Sequence, residues 1–353
     1  MPTAASLLAE GGPRLAGGAE NQVLMLAREL ARRGHSVGIV AFGGDALPLR
    51  ARVDGVDVIE LTPPRTRIPL VRTLAFYART FRVLRANPAG VIVQRAAGIH
   101  TALVAAAARL LRTRFVFASA GLHDFDFGTW ERKRWIVALY ERGVRSADQV
   151  VVQSAEQAAL CRRRFGREPA VIASIAEPAA PQAGTPGAFL WIGRLDEHKR
   201  PLAYLDLARA LPEARFRMVA VAGELDAADI PNLELLGPRP RAELAPLFDD
   251  AVAIVSSSRS EGMPNVFLEA WARGVPALAL AHDPDGAIER ERLGGFAGGS
   301  PERLAELARE LWENRGDRAE LAARCRDYVA RAHALGPVAD RWSETLGLGS
   351  CAG

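Results

Sequence analysis

The 353 residues predict two α/β domains, each a parallel sheet covered by helices. Three observations carry this reading. Short apolar runs alternate with amphipathic stretches along the chain, the pattern of strands joined by helical crossovers. The length exceeds one ordinary domain. Near the middle, Glu177 to Gly187 is rich in Pro, Ala and Gly and interrupts the alternation where a linker belongs.

Before the linker, Val37 to Phe42, Val56 to Leu61, Gly90 to Gln94, Phe115 to Ala118, Gln149 to Gln153 and Ala170 to Ser174 read as strands. Asn21 to Arg33, Pro69 to Ala86, Ile99 to Arg112, Glu131 to Ser146 and Ala155 to Phe165 read as helices. Beyond it, Phe189 to Ile192, Arg215 to Val221, Leu233 to Leu236, Ala251 to Val255 and Ala277 to Ala281 read as strands. Leu202 to Ala210 reads as a helix, and Val338 to Leu346 as a terminal one. Residues 1–16 make a poor first strand, because Gly11-Gly12-Pro13 interrupts any apolar run. Either an opening strand is degenerate or the true start lies upstream.

Composition narrows the class. Hydrophobic content of 49% with 24% charged residues is that of a soluble globular protein. The nearest approach to a membrane span, Ala102 to Ala108, is too short and ends in Arg109. The first residues lack the basic region and apolar core of a secretory signal. Cys161, Cys325 and Cys351 show no metal-ligand spacing and suit a reducing cytosol. A cytoplasmic location follows as the expectation.

Charge is uneven. Residues 1–170 hold 25 basic against 14 acidic residues (+11), and residues 171–353 hold 20 against 27 (−7). Ten arginines and no acidic residue lie between Leu61 and His123. In that window Leu70, Leu74, Tyr77, Phe81 and Leu84 keep helical spacing, and Arg72, Arg79 and Arg82 fall away from the stripe. One reading is a helix packed on its own sheet with a solvated basic face. The sharper one is a surface that meets anionic lipid, peripheral on the inner face of the membrane, or a lipid-diphosphate acceptor. Nucleic acid is not expected, because base-stacking motifs are missing.

The chemistry concentrates in two segments. Into Ser260-Glu261-Gly262-Met263-Pro264-Asn265-Val266-Phe267-Leu268-Glu269-Ala270 lead a strand, Ala251 to Val255, and a polar loop, Ser256 to Ser260, and a helix follows. Pro264 suits its first position, and Gly274 with Pro276 stops it. A helix N-terminus at a strand's carboxyl end accepts phosphate. Glu261 beside such a site is unfavourable unless it accepts hydrogen bonds, and sugar hydroxyls are suitable donors. Capping by Glu261 and a solvated Glu269 is an equally simple reading of the segment alone. The second segment runs from Phe189 through Gly193, Arg194 and Lys199 to Pro201. Two cations past a strand end suit a diphosphate, Arg through its planar fork and Lys as a point charge. Only Lys133 and Lys199 are lysine among 45 basic residues, so an ammonium at 199 is unusual for this chain.

Gly193-Arg194 with Lys199, followed by Glu261 and Glu269 in E-x7-E spacing, resembles the family 4 glycosyltransferases of the GT-B fold, nearest to those building bacterial surface polysaccharides. The likeness extends through Asp283-Pro284-Asp285-Gly286 and includes Gly17-Gly18-Ala19-Glu20 leading into Leu26 to His35. It implies two Rossmann-like domains with parallel sheets facing across a cleft. Residues 1–176 would bind the acceptor and 187–336 the nucleotide sugar. Residues 337–353 would form a helix returning to the first domain. The implied activity is metal-independent retaining transfer of a hexosyl group, without a cofactor, from a nucleotide sugar to a glycan or lipid-linked acceptor. The resemblance gives Arg194 and Lys199 the leaving diphosphate, Glu261 the sugar and Glu269 the ribose. It gives the stretch Gly262, Met263, Pro264, Asn265 and Val266, through its free amide N–H groups, the phosphate side. Bare backbone at Gly17 and Gly18 would approach the donor. His123, at another strand end, would help orient sugar and acceptor.

The triplets Asp124-Phe125-Asp126 and Asp283-Pro284-Asp285 have the spacing that holds divalent metal against a diphosphate, but Arg194 and Lys199 already supply positive charge. A structural role is expected for both. A nucleotide-sugar epimerase of the same fold and a sugar-nucleotide-binding protein without catalysis remain alternatives, the second kept open by the irregular first strand. A two-lobed solute-binding protein fits least, given the missing export signal.

Overall fold

The computed structural model describes residues 18–42, 50–61, 69–126, 131, 133–177, 179–181, 184–220, 223, 225–240 and 243–349, with the side chains of 69, 70, 72 and 73 outside that set. The expectation for residues 1–16 also lies outside it. The chain forms two compact units, Met1–Ala173 with Leu335–Gly353, and Ser174–Ala334. The division falls ahead of the Pro- and Gly-rich stretch, and its reason is local. The ring of His333, only 3% exposed, donates from Nδ1 to Ser174 O (2.7 Å), and Ala176 N donates to His333 O (2.9 Å). Those bonds tie Ser174 to Ala176 into the second unit.

In the first unit, α1 (Gly18–Arg32) leads into β1 (Val37–Phe42), β2 (Arg50–Val53) and β3 (Val56–Leu61). Their order is β1-β3-β2, with β1 parallel and β2 antiparallel to β3. The antiparallel β2 was not expected. Its turn is Asp54-Gly55, both at positive φ (51° and 81°), and this dipeptide favours a tight hairpin because Gly tolerates that backbone. Then come α2 (Pro69–Ala86), β4 (Val91–Arg95), α3 (Ile99–Leu110), β5 (Arg114–Ala118), α4 (Arg134–Arg145), β6 (Gln149–Val152), α5 (Ala155–Phe165) and β7 (Ala170–Val171). Strands β4-β5-β6-β7 pair in parallel in chain order. Phe115, Phe117, Tyr140, Val144, Val150 and Phe165 fill a core between this sheet and its helices.

The stripe expected on α2 needs one correction. Tyr77, Phe81 and Leu84 are half-buried, but Leu74 is 61% exposed. Val71, Leu74, Ala78, Arg82 and Arg85 share the solvent side, at spacings that repeat one helical face. Spacing alone cannot show on which side of the boundary Leu74 falls.

The second unit holds β8 (Ala188–Gly193), α6 (Pro201–Ala210), β9 (Phe216–Ala220), β10 (Leu233–Leu235), α7 (Ala245–Asp249), β11 (Ala251–Ser256), α8 (Asn265–Arg273), β12 (Ala277–Ala279), α9 (Ala287–Glu291), β13 (Gly294–Phe296), α10 (Pro301–Glu313) and α11 (Ala319–Ala332). Its six strands run parallel in the order β10-β9-β8-β11-β12-β13. Both faces of β8 are covered. Phe189 and Trp191 pack with Tyr204, Phe216 and Met218, while Leu190 packs with Phe248, Leu268 and Trp271. Burial on two sides explains why this strand reads as an unbroken apolar run. Edge strand β13, Gly-Gly-Phe, escaped notice because it carries no such pattern.

The last helix, α12 (Leu335–Leu346), starts three residues before the expected Val338 and packs on α1. Arg33 joins them, donating to Asp340 Oδ1 (2.5 Å) and Gly336 O (3.1 Å). Arg33 Nε also donates to the buried Glu29 (2.7 Å), which Arg32 holds through two bonds of 2.8 Å. Hydrogen bonding to Arg32, then to Arg33, lowers the Glu29 pKa from 4.5 to about 2. The folded form thus binds its proton less readily than the unfolded chain. The stabilisation is present above pH 4.5 and is lost as pH falls towards about 2. Glu29→Gln is expected to remove about 1–2 kcal/mol at neutral pH, and to lower the acid sensitivity of Tm within that window. Equal acid sensitivity in both proteins, followed by thermal melts, would count against it.

Candidate functional site

Chain order and strand order diverge at β8. From β8 the chain moves outward to β9 and β10, then returns to β11 on the other side and continues to β12 and β13. Connections leaving β8 and β11 therefore diverge, and ligands of parallel α/β sheets bind at the carboxyl ends of such strands. The loops that leave them are 194–200 and 257–264, the two segments carrying the sequence motifs.

Hydrogen bonds lock the loops together. Trp191 Nε1–H donates to Ser257 Oγ (3.1 Å), whose hydroxyl donates to Lys199 O (2.6 Å). Arg259 N donates to His198 O (3.0 Å), and His198 Nε2 bonds to Ser260 O, which fixes the proton on Nε2 because a carbonyl only accepts. On this frame the Lys199 ammonium donates to Glu261 Oε1, with the two side chains 24% and 19% exposed. Lys199 N bonds to Asp196 Oδ1 (2.9 Å), and Arg194, 68% exposed, pairs with Asp196 Oδ2 at 3.0 Å. Two residues 62 positions apart thus meet directly.

Helix α8 opens beside Glu261. Pro264 is its extended cap residue (φ −63°, ψ 125°) and not its first helical position, which is Asn265. The proline ring fits either place because its φ is the same in both. No side chain caps the helix and its first turn holds no acidic residue, so its positive end is uncompensated by its own carboxylates. At the far end Gly274 takes φ 83°, and Val275 N donates to Ala270 O (2.9 Å), closing the helix as its Gly-Val-Pro sequence predicts. Phe267, Leu268, Ala270 and Trp271 are buried, which anchors α8 and leaves Gly262, Met263, Asn265, Val266 and Glu269 half-buried. Gly193 ends β8. A Cβ there would lie 2.9 Å from the Trp191 ring, which is 2% exposed and bonded to Ser257. Packing alone therefore demands glycine at 193.

In the first unit His123 is exposed, in a single 3₁₀ turn (Leu122–Asp124) following β5. Gly18 is the first residue of α1, and Gly17 lies outside the described residues.

Two family models match the chain: a glycosyl transferase 4-like domain over residues 17–176, and a glycosyl transferases group 1 domain over residues 186–314. The chain belongs to the family 4 glycosyltransferases. Solved structures agree on the GT-B fold. Sucrose-phosphate synthase from Thermosynechococcus elongatus is similar at TM-score 0.74 and 17% identity, covering 97% of this chain and 96% of that one. HepE from Anabaena, in complex with UDP, matches at 0.71 and 17%, covering 96% and 97%. WaaG, a glycosyltransferase involved in lipopolysaccharide biosynthesis, matches at 0.71 and 17%, covering 94% and 97%.

In this glycosyltransferase the D-x-D triplets are built into turns. Asp124, 5% exposed, accepts from Ala97 N (2.8 Å), Ala120 N (2.6 Å) and Ser119 Oγ (3.1 Å), so one carboxylate joins the loops after β4 and β5. Burial raises its pKa, and those donors pull it back. Asp283 accepts from Ile288 N (2.8 Å) and Glu289 N (3.1 Å), holding the first turn of α9. Sequence reasoning missed Ser257 and Asp196, which brace Lys199. Asp196 sat inside the motif segment, whereas nothing distinguished Ser257 within Ser256-Ser257-Ser258.

Proposed function

We propose that this glycosyltransferase moves a hexosyl group, with retention and without a metal, from a nucleoside-diphosphate sugar to a glycan or lipid-linked acceptor. One observation carries the reading. A lysine and a glutamate meet at the divergence of β8 and β11, beside a helix N-terminus free of its own acidic residues. In the reaction the bond from the anomeric carbon to the diphosphate oxygen breaks, and its electron pair stays on that oxygen. A bond forms from the acceptor oxygen to the anomeric carbon, and the acceptor proton passes to the departing phosphate. Lys199 and Arg194 stabilise the charge that grows there, the term that dominates such electrostatic catalysis. Amide N–H groups of Gly262, Met263, Asn265 and Val266 face the phosphates, with Pro264 between them shaping the turn and donating nothing. Glu261 accepts from sugar hydroxyls and Glu269 from the ribose. Gly17 and Gly18 admit the donor at close range, and His123 orients sugar and acceptor. Support for the donor class comes from HepE, solved with UDP and glucose. WaaG supports a role in cell-surface polysaccharide synthesis. Titrating UDP-, GDP- and ADP-sugars in a thermal-shift assay tests it, since a bound donor raises Tm by mass action. No shift with any of them would defeat the donor reading.

Among the described residues no helix is long and apolar enough to cross a membrane. We place the enzyme in the cytoplasm with a peripheral membrane contact through α2. Its solvent face joins exposed Val71 (48%) and Leu74 (61%) to exposed Arg82 and Arg85, an apolar half followed by a cationic half suited to anionic lipid. Flotation is expected with vesicles containing phosphatidylglycerol and not with phosphatidylcholine alone, and equal flotation would exclude it.

A further inference from the structure

Both cations assigned to the diphosphate already have carboxylate partners, Asp196 for Arg194 and Glu261 for Lys199. The second pair is the informative one. It is three-quarters or more withdrawn from solvent, and its loops are fixed by the bonds through Ser257, His198 and Arg259. A phosphate that takes Lys199 must therefore displace a carboxylate held in place by a rigid frame.

We propose that Glu261 is a resident counter-ion that makes this site select a glycosylated diphosphate over the bare nucleoside diphosphate. This rests on the donor-site reading above. When phosphate oxygens take the Lys199 ammonium, Glu261 is left half-buried beside added negative charge, which is costly unless hydrogen-bond donors replace the lost partner. A sugar on the diphosphate brings hydroxyls, and they supply those donors. A bare nucleoside diphosphate has only its ribose hydroxyls, which go to Glu269, so Glu261 competes for Lys199 and weakens its hold. The exchange has a direction. After transfer the sugar has left, the hydroxyls have gone with it, and the carboxylate recaptures the lysine as the product departs. Glu261 thereby has two tasks, orienting the sugar and expelling the spent nucleotide. The second is a property of the pair and not of the sugar contact.

The two tasks predict opposite effects of one substitution. Glu261→Gln keeps the size of the side chain and removes its charge. By calorimetric titration of the full chain with UDP, GDP and ADP, E261Q is expected to bind the preferred diphosphate roughly five- to tenfold more tightly than the native chain. Its preference for the matching nucleotide sugar over that diphosphate should shrink. Glu261→Ala should also tighten diphosphate binding, and Lys199→Ala should weaken it. Thermal melts establish that each variant is folded. If K199A binds more weakly but both folded Glu261 variants bind the diphosphate no better than the native chain, the counter-ion role is wrong and the donor site stands. If the native chain binds none of UDP, GDP and ADP, or K199A binds as the native chain does, the donor-site reading fails and this inference falls with it.

Discussion

Lys199→Ala is expected to lower the transfer rate by about 10²–10³-fold, with Tm close to that of the native chain. The ammonium sits on a frame that does not depend on it. Ser257 holds the backbone carbonyl of residue 199 and Asp196 its N–H, so the loop keeps its course when the side chain is cut back. On the proposed mechanism, what is lost is positive charge where the departing oxygen gathers negative charge, and water is a poor substitute because it must reorient as that charge grows. Glu261 would also lose its partner and, 19% exposed, repel an incoming phosphate. Lys199→Arg should restore little, because a planar fork cannot occupy the space of a compact ammonium. The check is initial rate with the donor found by thermal shift, beside a melt of each variant. Near-native transfer by folded K199A would remove leaving-group stabilisation from the mechanism.

Gly294→Ala is expected to give the largest loss of stability, on the order of 3 kcal/mol or more, or roughly 6–12 °C in Tm. Two effects add. The backbone at 294 has φ 145°, a region that L residues rarely adopt, and a Cβ there would lie 1.9 Å from Ala277 O. That oxygen belongs to the neighbouring strand, since Gly294 pairs with Ala277 in the β12–β13 ladder. Neither atom is the end of a flexible side chain, so relief requires the edge strand to peel away. Gly298→Ala separates the two effects. Its φ is 61° with nothing within 4 Å of the added atom, so only the backbone cost applies, about 1 kcal/mol. Equal melting temperatures for the two variants would show that β13 accommodates the methyl group.

Much of the site was legible because its signals are local. Pro264, Gly274 and Pro276 mark the ends of α8 within one or two residues, since capping depends on the backbone of adjacent positions. The apolar runs of β8 and β11 announced strands buried on both faces. Less was legible where the pattern is short or the environment decides. β13 has two glycines in three residues and nothing periodic to read, and β2 was hidden although its Asp-Gly turn was in plain view. Leu74 keeps helical spacing with Tyr77 and Phe81, yet faces solvent, because spacing defines an angle around the helix and not what lies beside it.

Read as a string of letters, this chain already declared its candidate residues. Two cations past one strand end, and two glutamates straddling a helix start, are properties of neighbours in sequence, and the physics of strands, turns and caps acts on neighbours. Only the tertiary structure decided that β8 and β11 lie side by side, that Lys199 therefore meets Glu261, and that Ser257 and Trp191 brace the meeting. Such pairings join residues about sixty positions apart. They follow from which sheet faces can be buried against which helices, a balance struck over the whole unit and recorded in no single stretch of it.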